Sequence, residues 1–148
     1  PSIPGKIVCL EVTPTCHYYL NNGAFLACDN GVSYEMKTQS VGKALFGGTG
    51  GFFVMHTSGQ GDLLINAYGD IMEINVDADH PIIIDNEHVI AWDDSLDYEI
   101  KIESGTFGFT TGEGLVNEFH GTGKVYIQSR NLHSLADALT PFIPQGKD

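Results

Sequence analysis

An internal repeat constrains the fold of this chain more than any other feature of its sequence. Residues 20–29 match residues 84–93 at an offset of 64 positions, in their turn residues and in the apolar positions that follow. At this offset the paired residues are Ala27 with Ala91, Asp29 with Asp93, Tyr34 with Tyr98, Glu35 with Glu99, Ile7 with Ile71, Leu10 with Ile74 and Val12 with Val76. Such self-similarity is typical of chains built from copies of one supersecondary unit.

The later part of each copy matches at an offset of 62 residues. The paired residues here are Gly50 with Gly112, Val54 with Val116, Gly59 with Gly121, Gly61 with Gly123 and Ile65 with Ile127. The change of two residues falls in the glycine-rich stretch 38–50, where an insertion or deletion is easily accommodated. We therefore expect a first unit over residues 5–70 and a second over residues 71–148.

Alternation of apolar and polar residues predicts that each copy consists of short β-strands. In residues 62–67, for example, Leu63, Ile65 and Ala67 fall on one face of a strand. The pair Asn22-Gly23 favours a two-residue hairpin turn, because a type I′ turn requires positive φ at both positions. We expect an all-β chain with strands near 6–12, 17–20, 24–28, 32–38, 51–58, 62–67, 71–76, 82–84, 88–92, 96–103, 114–120 and 124–129.

The pattern changes from strand to helix after residue 130. Apolar residues recur at i, i+3, i+4 and i+7 from Leu132 to Leu139, which is the spacing of one helix face. Asn131 is a candidate N-cap, and Pro141 cannot continue the helix. We expect a short helix near 132–139 that caps the second unit. No such cap precedes the first copy, which leads us to expect further sequence before residue 1.

The charge of the chain argues against nucleic acid and anionic membranes as partners. The sequence has 7 Lys and Arg against 19 Asp and Glu, a formal net charge of −12. Nucleic-acid binding depends on basic side chains that neutralise phosphates, and anionic membranes attract the same side chains. No apolar run approaches the about 20 residues that span a bilayer. We expect no binding to nucleic acid and no membrane insertion.

No recognisable catalytic motif occurs in the sequence. The three cysteines are Cys9, Cys16 and Cys28, an odd number without a Cys-x-x-Cys pair, which predicts free thiols in a reducing compartment. The sequence contains neither a P-loop nor the Gly-x-Ser-x-Gly elbow of a nucleophilic serine. Gly-x-Gly occurs at the same place in both copies, which indicates turns. We expect no enzymatic activity and no cofactor.

A metal-dependent or small-molecule-binding barrel enzyme of the cupin type is the alternative. Cupin-like barrels hold their metal with a His-x-His pair and a later Glu and His, and none of the six histidines here forms such a pair. His80 and His88 flank a predicted hairpin with Glu87 nearby, yet their spacing is not that of a metal site. We expect no stoichiometric transition metal on His80 and His88.

The acidic stretch 92–99 is the most distinctive local feature of the sequence. A calcium loop or a carboxylate pair for acid–base chemistry would use such residues, but the stretch lacks the order of an EF-hand loop. An Asx-rich turn between two strands is the favoured interpretation, with the tryptophan half-buried in packing. The candidate interaction residues are Trp92, Asp93, Asp94, Asp97 and Tyr98.

Four segments of the chain resemble the AIM24 family, whose members are related to a fungal mitochondrial-maintenance protein. They are residues 23–27, 88–98, 111–115 and 121–131, and the resemblance extends from about residue 5 to 143. It implies tandem double-stranded β-helix units, sandwiches or barrels similar in fold to the trp RNA-binding attenuation protein. Family members typically carry three such units about a pseudo-threefold axis, and this chain resembles the last two.

The resemblance also implies a role for the chain. A mitochondrial-maintenance relative implies a non-enzymatic scaffold or interaction protein that acts through oligomeric assembly. Such a chain is expected to form a homo-oligomer or to pair with a segment that supplies the missing unit. Its location would be the bacterial cytoplasm, or the mitochondrion if the chain is eukaryotic. The family offers no catalytic or metal residues to transfer, and fold alone does not carry function.

Overall fold

Short β-strands make up most of the fold in the described residues. The computed structural model describes residues 4–39, 52–102 and 115–143. The strands of this part of the chain are β1 (Ile7–Val12), β2 (Tyr18–Leu20), β3 (Phe25–Cys28), β4 (Val32–Gln39), β5 (Phe52–Gly59), β6 (Gly61–Asn66), β7 (Ile71–Val76), β8 (Ile82–Asp85), β9 (Val89–Asp93), β10 (Asp97–Ile102), β11 (Leu115–His120) and β12 (Gly123–Gln128). The all-β prediction is confirmed, and each of these strands lies within one or two residues of its expected position.

Some of the expected features fall on residues that the structure does not describe. These are most of the glycine-rich stretch 38–50, the Gly50–Gly112 match, and nearly all of the family segment 111–115.

The described strands form three antiparallel sheets. One has the order β1-β6-β3, a second has the order β10-β11-β8, and the third has six strands in the order β4-β5-β2-β9-β12-β7. We refer to β1–β6 as the first half and to β7–β12 as the second half. The six-stranded sheet contains three strands from each half, and the β2–β9 pair joins them.

Strand pairings of the first half recur in the second. β1 pairs with β6 as β7 pairs with β12, and β4 pairs with β5 as β10 pairs with β11. Likewise β3 pairs with β6 as β9 pairs with β12, and β2 with β5 as β8 with β11. The register recurs too, since Ile7 lies opposite Asn66 and Ile71 lies opposite Gln128. These are the 64- and 62-residue offsets of the sequence repeat.

The repeated aspartates make the same contact in both halves, next to a repeated glycine. The Asp29 carboxylate accepts the backbone N–H of Asp62 at 3.0 Å, and the Asp93 carboxylate accepts that of Lys124 at 2.9 Å. Each carboxylate thereby fastens the β3–β4 or β9–β10 turn to the hairpin beside it. The close approach also requires glycine at position 61, because a Cβ there would lie 2.8 Å from the Cβ of Asp29.

Two clusters of buried side chains form the core, and both draw on the two halves. The first consists mainly of first-half residues and is completed by Ile90, Ala91 and Tyr126 of the second half. The second consists mainly of second-half residues around Trp92 and includes Val54 of the first half. Each fully buried large apolar side chain contributes about 1.5–3 kcal/mol. We call the contact between the halves around the β2–β9 pair the joint. The joint is therefore part of the hydrophobic core.

The described part of the chain contains, after the last strand, the helix that the sequence predicts. Helix α1 spans Leu132–Leu139, the Asn131 side chain accepts the backbone N–H of Ser134, and a 3₁₀ turn at Thr140–Phe142 follows. None of the α1 side chains is buried, so its apolar face stays open. Its role as a cap of the second unit stays a prediction. Neither helical segment in the described part of the chain has the length and apolarity to cross a membrane.

Candidate functional site

Two of the candidate interaction residues lie in an aromatic cluster inside the protein. The Trp92 ring lies 4.7 Å from that of Tyr98, 5.6 Å from that of Phe119 and 5.7 Å from that of Tyr19. The sequence favours a packing role and half-burial for this tryptophan, but its side chain is fully buried, with 1% exposed. Trp92 therefore offers no surface to a partner in this fold.

Two polar atoms of this cluster lack hydrogen bonds within the described part of the chain. Trp92 Nε1 and the Tyr98 hydroxyl are buried and have no hydrogen-bond partner among the described residues. Burial raises the pKa of Tyr98 well above its usual value, because the phenolate would be poorly solvated there. The Tyr98 hydroxyl consequently stays protonated throughout the physiological range.

Asp93 and Asp97 bracket the turn that the acidic stretch forms. The backbone carbonyl of Asp93 accepts the N–H of Leu96, while its carboxylate accepts the N–H of Lys124. Burial raises the pKa of Asp93, against the lowering effect of that hydrogen bond. Asp97 is exposed at the start of β10, opposite His120. Both residues fit the Asx-rich turn that the sequence favours.

Asp94 is the residue of the acidic stretch that contacts two histidines. Its Oδ2 lies 3.2 Å from His56 Nε2 and 3.4 Å from His17 Nδ1. All three side chains are half-buried, between 17% and 28% exposed. Two imidazole nitrogens and a carboxylate oxygen are atoms that bind transition metals or share protons.

The strands of the joint bring these three residues together. β2 lies between β5 and β9, so that Tyr19 is opposite both His56 and Trp92. The backbone N–H of Asp94 donates to the carbonyl of His17 at 2.9 Å. The cluster therefore depends on the pairing of the first half with the second, not on any one segment of the chain.

A second group of side chains surrounds His56. The Tyr19 ring stacks on the His56 ring with centroids 4.5 Å apart. The Glu35 carboxylate lies 3.6 Å from His56 Nδ1, and Lys37 Nζ lies 3.2 Å from the same carboxylate oxygen. The hydrogen bond from Lys37 lowers the pKa of Glu35, so Glu35 carries its charge at neutral pH. These contacts fix the ring so that Nε2 faces Asp94.

Sequence reasoning named Asp94 but missed His17 and His56. No linear spacing marks them, because they lie on different strands, and the repeat places Pro81 and Glu118 at the corresponding positions. Only the order of β5, β2 and β9 in the sheet reveals the cluster. Among the described residues it is the one group of three or more side chains that could hold a metal ion.

The structure gives His80 and His88 separate partners. His80 Nδ1 lies 3.0 Å from the Asp77 carboxylate in an exposed turn. His88 Nδ1 lies 2.7 Å from the carbonyl of Gln128, and its Nε2 lies 3.1 Å from the Asn131 amide nitrogen. Both ring nitrogens of His88 are thus engaged by the protein. The absence of a metal on His80 and His88 stays a prediction.

Comparison with protein families matches residues 1–130 to the family described as "Mitochondrial biogenesis AIM24". The chain belongs to the AIM24 family. The match confirms the resemblance drawn from segments such as 88–98.

The AIM24 relatives include two proteins from Streptococcus pyogenes. An uncharacterised protein of serotype M6 is 49% identical over 145 residues, which cover 97% of this chain and 58% of the relative. A crystal structure of an S. pyogenes protein has a TM-score of 0.82 and 45% identity, and covers 97% of this chain and 62% of that one. The chain therefore spans less than two thirds of either relative.

A cavity of about 500 Å³ lies at the joint of this AIM24 chain, on its border with α1. The carboxamide side chains that line it are Asn21, Asn22, Asn66, Asn86 and Gln128. Several of these amides are already engaged, since Asn21 Nδ2 donates to the Val89 carbonyl and Asn66 Nδ2 to the Gly23 carbonyl. The Asn21 bond runs from the first half to the second, so this part of the cavity wall helps to hold the halves together.

Proposed function

We propose that this AIM24 chain is a non-enzymatic interaction domain that works by self-assembly through two open strand edges. The observation that supports this most is the β2–β9 pair, which joins the halves. β8 occupies the place of β2 in the second half, because it pairs with β11 as β2 pairs with β5. β3 occupies the place of β9 in the first half, because it pairs with β6 as β9 pairs with β12.

β3 and β8 thus have the positions of the strands that join the halves, but no joining partner among the described residues. Each one ends its three-stranded sheet. An open strand edge presents unpaired N–H and C=O groups to another chain. We propose that β8 of one copy pairs with β3 of another, in the way that β2 pairs with β9.

Burial at the joint supports this assignment of the edges. Ala91 on β9 is 0% exposed because the first half packs over it, and Tyr126 beside it is also buried. The corresponding residues of the first half are Ala27, which is exposed, and Leu64, which is half-buried. A face that is covered in one half is therefore uncovered in the other.

The side chains next to the open edges are apolar. Ile83 on β8 is 65% exposed, and Leu26 on β3 is exposed as well. Apolar side chains that are exposed on an open strand edge favour pairing with another chain. The net charge of −12 keeps such an assembly soluble and does not prevent it.

The recurrent pairings support tandem units at residues 5–70 and 71–148, similar to the double-stranded β-helix of the trp RNA-binding attenuation protein. In this proposal β2–β9 is a contact between units, and the assembly contact repeats it. Binding to nucleic acid forms no part of the proposal, because the net charge is −12.

The proposed location follows from the thiols and the relatives. Cys9, Cys16 and Cys28 are all free, which favours a reducing compartment. We propose the cytoplasm for a bacterial chain, since the relatives described above are streptococcal. For a eukaryotic chain we propose the mitochondrion, in line with the family's description.

Charged substitutions at the two edges test the proposal. Lysine on an edge strand opposes strand pairing, so Ile83→Lys and Leu26→Lys should each weaken self-association at least about tenfold, or about 1.4 kcal/mol. Met72→Lys is the matched control, because Met72 is similarly exposed on β7, which ends the six-stranded sheet and is neither of the two proposed edges. Sedimentation velocity over a concentration series measures the effect. Association that is unchanged in both edge variants, or equally weakened by Met72→Lys, would overturn the assignment.

A further inference from the structure

Independently of assembly, we propose that His17, His56 and Asp94 form a binding site for a divalent transition-metal ion, with Zn²⁺ as the best-matched ion. His17 Nδ1, His56 Nε2 and a carboxylate oxygen of Asp94 would be the ligand atoms. They lie within 4.8 Å of one another. The site would lie on the joint, with two ligands from the first half and one from the second.

The two distances from Asp94 to the histidines are close to those of a metal site. Zinc binds nitrogen and oxygen ligands at about 2.0–2.2 Å in tetrahedral sites, which places neighbouring ligand atoms about 3.3–3.6 Å apart. The Asp94 oxygen lies 3.2 Å from His56 Nε2 and 3.4 Å from His17 Nδ1. Because all three ligand atoms lie within 4.8 Å of one another, side-chain movements alone can bring them to the distances that an ion requires.

The donor types and the exposure of the cluster also suit zinc. Imidazole nitrogen and carboxylate oxygen are ordinary zinc ligands, and three protein ligands leave one position for water or another donor. All three side chains are half-buried, so an ion can reach them from solvent without unfolding of the joint. The cysteines contribute no ligand to this group.

The surroundings of His56 match those of a metal-binding histidine. Such a histidine usually directs its second ring nitrogen to a carboxylate or a carbonyl, which fixes the ring. The Glu35 carboxylate lies 3.6 Å from His56 Nδ1, and the stacked Tyr19 ring holds the imidazole plane. Glu35 would therefore be a positioning residue for Nε2, held in place by Lys37.

A simple ion pair is the competing explanation of the same contacts. If one of the histidines is protonated, Asp94 pairs with it without a metal. The two explanations differ in what zinc does, because metal binding requires unprotonated imidazoles and releases protons. Zinc that binds to the cluster also stabilises the folded state by mass action and raises Tm.

Zinc titration of the purified, metal-free protein tests the site. Isothermal titration calorimetry should show one Zn²⁺ per chain, and Asp94→Asn should weaken its binding at least about tenfold. Glu35→Gln should weaken it about 10–100-fold, as loss of an outer partner does. The matched control is the double variant His80→Gln/His120→Gln, which removes two histidines that lie beside Asp77 and Glu118 elsewhere in the fold. This control should bind zinc as the wild type does.

Two measurements on the wild-type protein keep the test decisive even if a variant fails to fold. Zn²⁺ should shift the imidazole ¹⁵N resonances of His17 and His56 and leave those of His80 and His120 in place. Bound Co²⁺ should show visible d–d absorption without a thiolate charge-transfer band, which excludes the cysteines. Absence of stoichiometric zinc binding, shifts confined to other histidines, or undiminished binding in a folded Asp94→Asn variant would overturn the proposal.

Discussion

Ala27 and Ala91 hold corresponding positions in their strand pairings, yet Ala91 is completely buried and Ala27 is exposed. Ala27 lies opposite Leu64 on β6, and Ala91 lies opposite Tyr126 on β12. The two alanines are chemically identical, so the difference comes from the neighbour that covers one of them. In the second half that neighbour is the first half of the same chain.

Alanine substitutions in the two Gly-x-Gly hairpins should differ in their cost to stability. Gly59 and Gly121 both have positive φ, at 90° and 103°. A Cβ at Gly59 would lie 2.2 Å from the Gly31 carbonyl oxygen, whereas the nearest atom at Gly121 would be 3.6 Å away. Gly121→Ala should cost about 1–3 kcal/mol from backbone strain alone, and Gly59→Ala distinctly more. Urea unfolding at equal protein concentration measures both, and an equal or smaller cost for Gly59→Ala would contradict this account.

The hydroxyl groups of Tyr98 and Thr57 should differ in their effect on stability. The Tyr98 hydroxyl has no partner among the described residues, so Tyr98→Phe should change the free energy of unfolding by less than about 0.5 kcal/mol or increase it. Buried Thr57 accepts the backbone N–H of Tyr18 and donates to its carbonyl. Thr57→Val should therefore cost about 1–3 kcal/mol. Thermal and urea unfolding measure the stability of both variants. A loss of stability in Tyr98→Phe as large as that in Thr57→Val would show that the Tyr98 hydroxyl is paired.

The raised pKa of Asp93 predicts a pH dependence of stability. Because burial raises this pKa in the folded state, the folded protein binds the proton more tightly than the unfolded chain does. The contribution of Asp93 to stability is then greatest below its usual pKa of 3.8 and falls as pH rises through the higher folded value. Asp93→Asn keeps an oxygen acceptor for the Lys124 N–H and removes this titration.

The variant should therefore gain stability relative to the wild type as pH rises from about 4 to neutrality. The difference in unfolding free energy between the two proteins, measured across that range, cancels the contributions of the other carboxyl groups. Asp29→Asn is the control, because Asp29 makes the corresponding contact in the first half but is exposed. A difference that does not change with pH would contradict the assigned cause.

The sequence predicts the strands and the helix well, because their signals are local. Alternation and turn residues locate each strand, and the spacing from Leu132 to Leu139 locates α1. The repeat also pairs Asp29 with Asp93, and the structure gives both the same hairpin contact. Local signals were not enough for Trp92, which precedes Asp93. The sequence predicts that it is half-buried, but aromatic rings from other strands bury it fully.

The contacts at the joint could not be predicted from local sequence signals. His17, His56 and Asp94 meet only because β2 lies between β5 and β9, and strand order in a sheet leaves no mark on local spacing. The exposure of Ala27 likewise depends on which units pack together. Features that depend on contact between the halves therefore become visible only in the folded structure.

Light scattering of the wild-type chain over a micromolar concentration series tests the assembly proposal most directly. If β3 and β8 are open edges that pair between copies, the weight-average mass should rise with concentration to a multiple of 16.0 kDa. A stable species of 16.0 kDa at every concentration would contradict self-assembly through these edges.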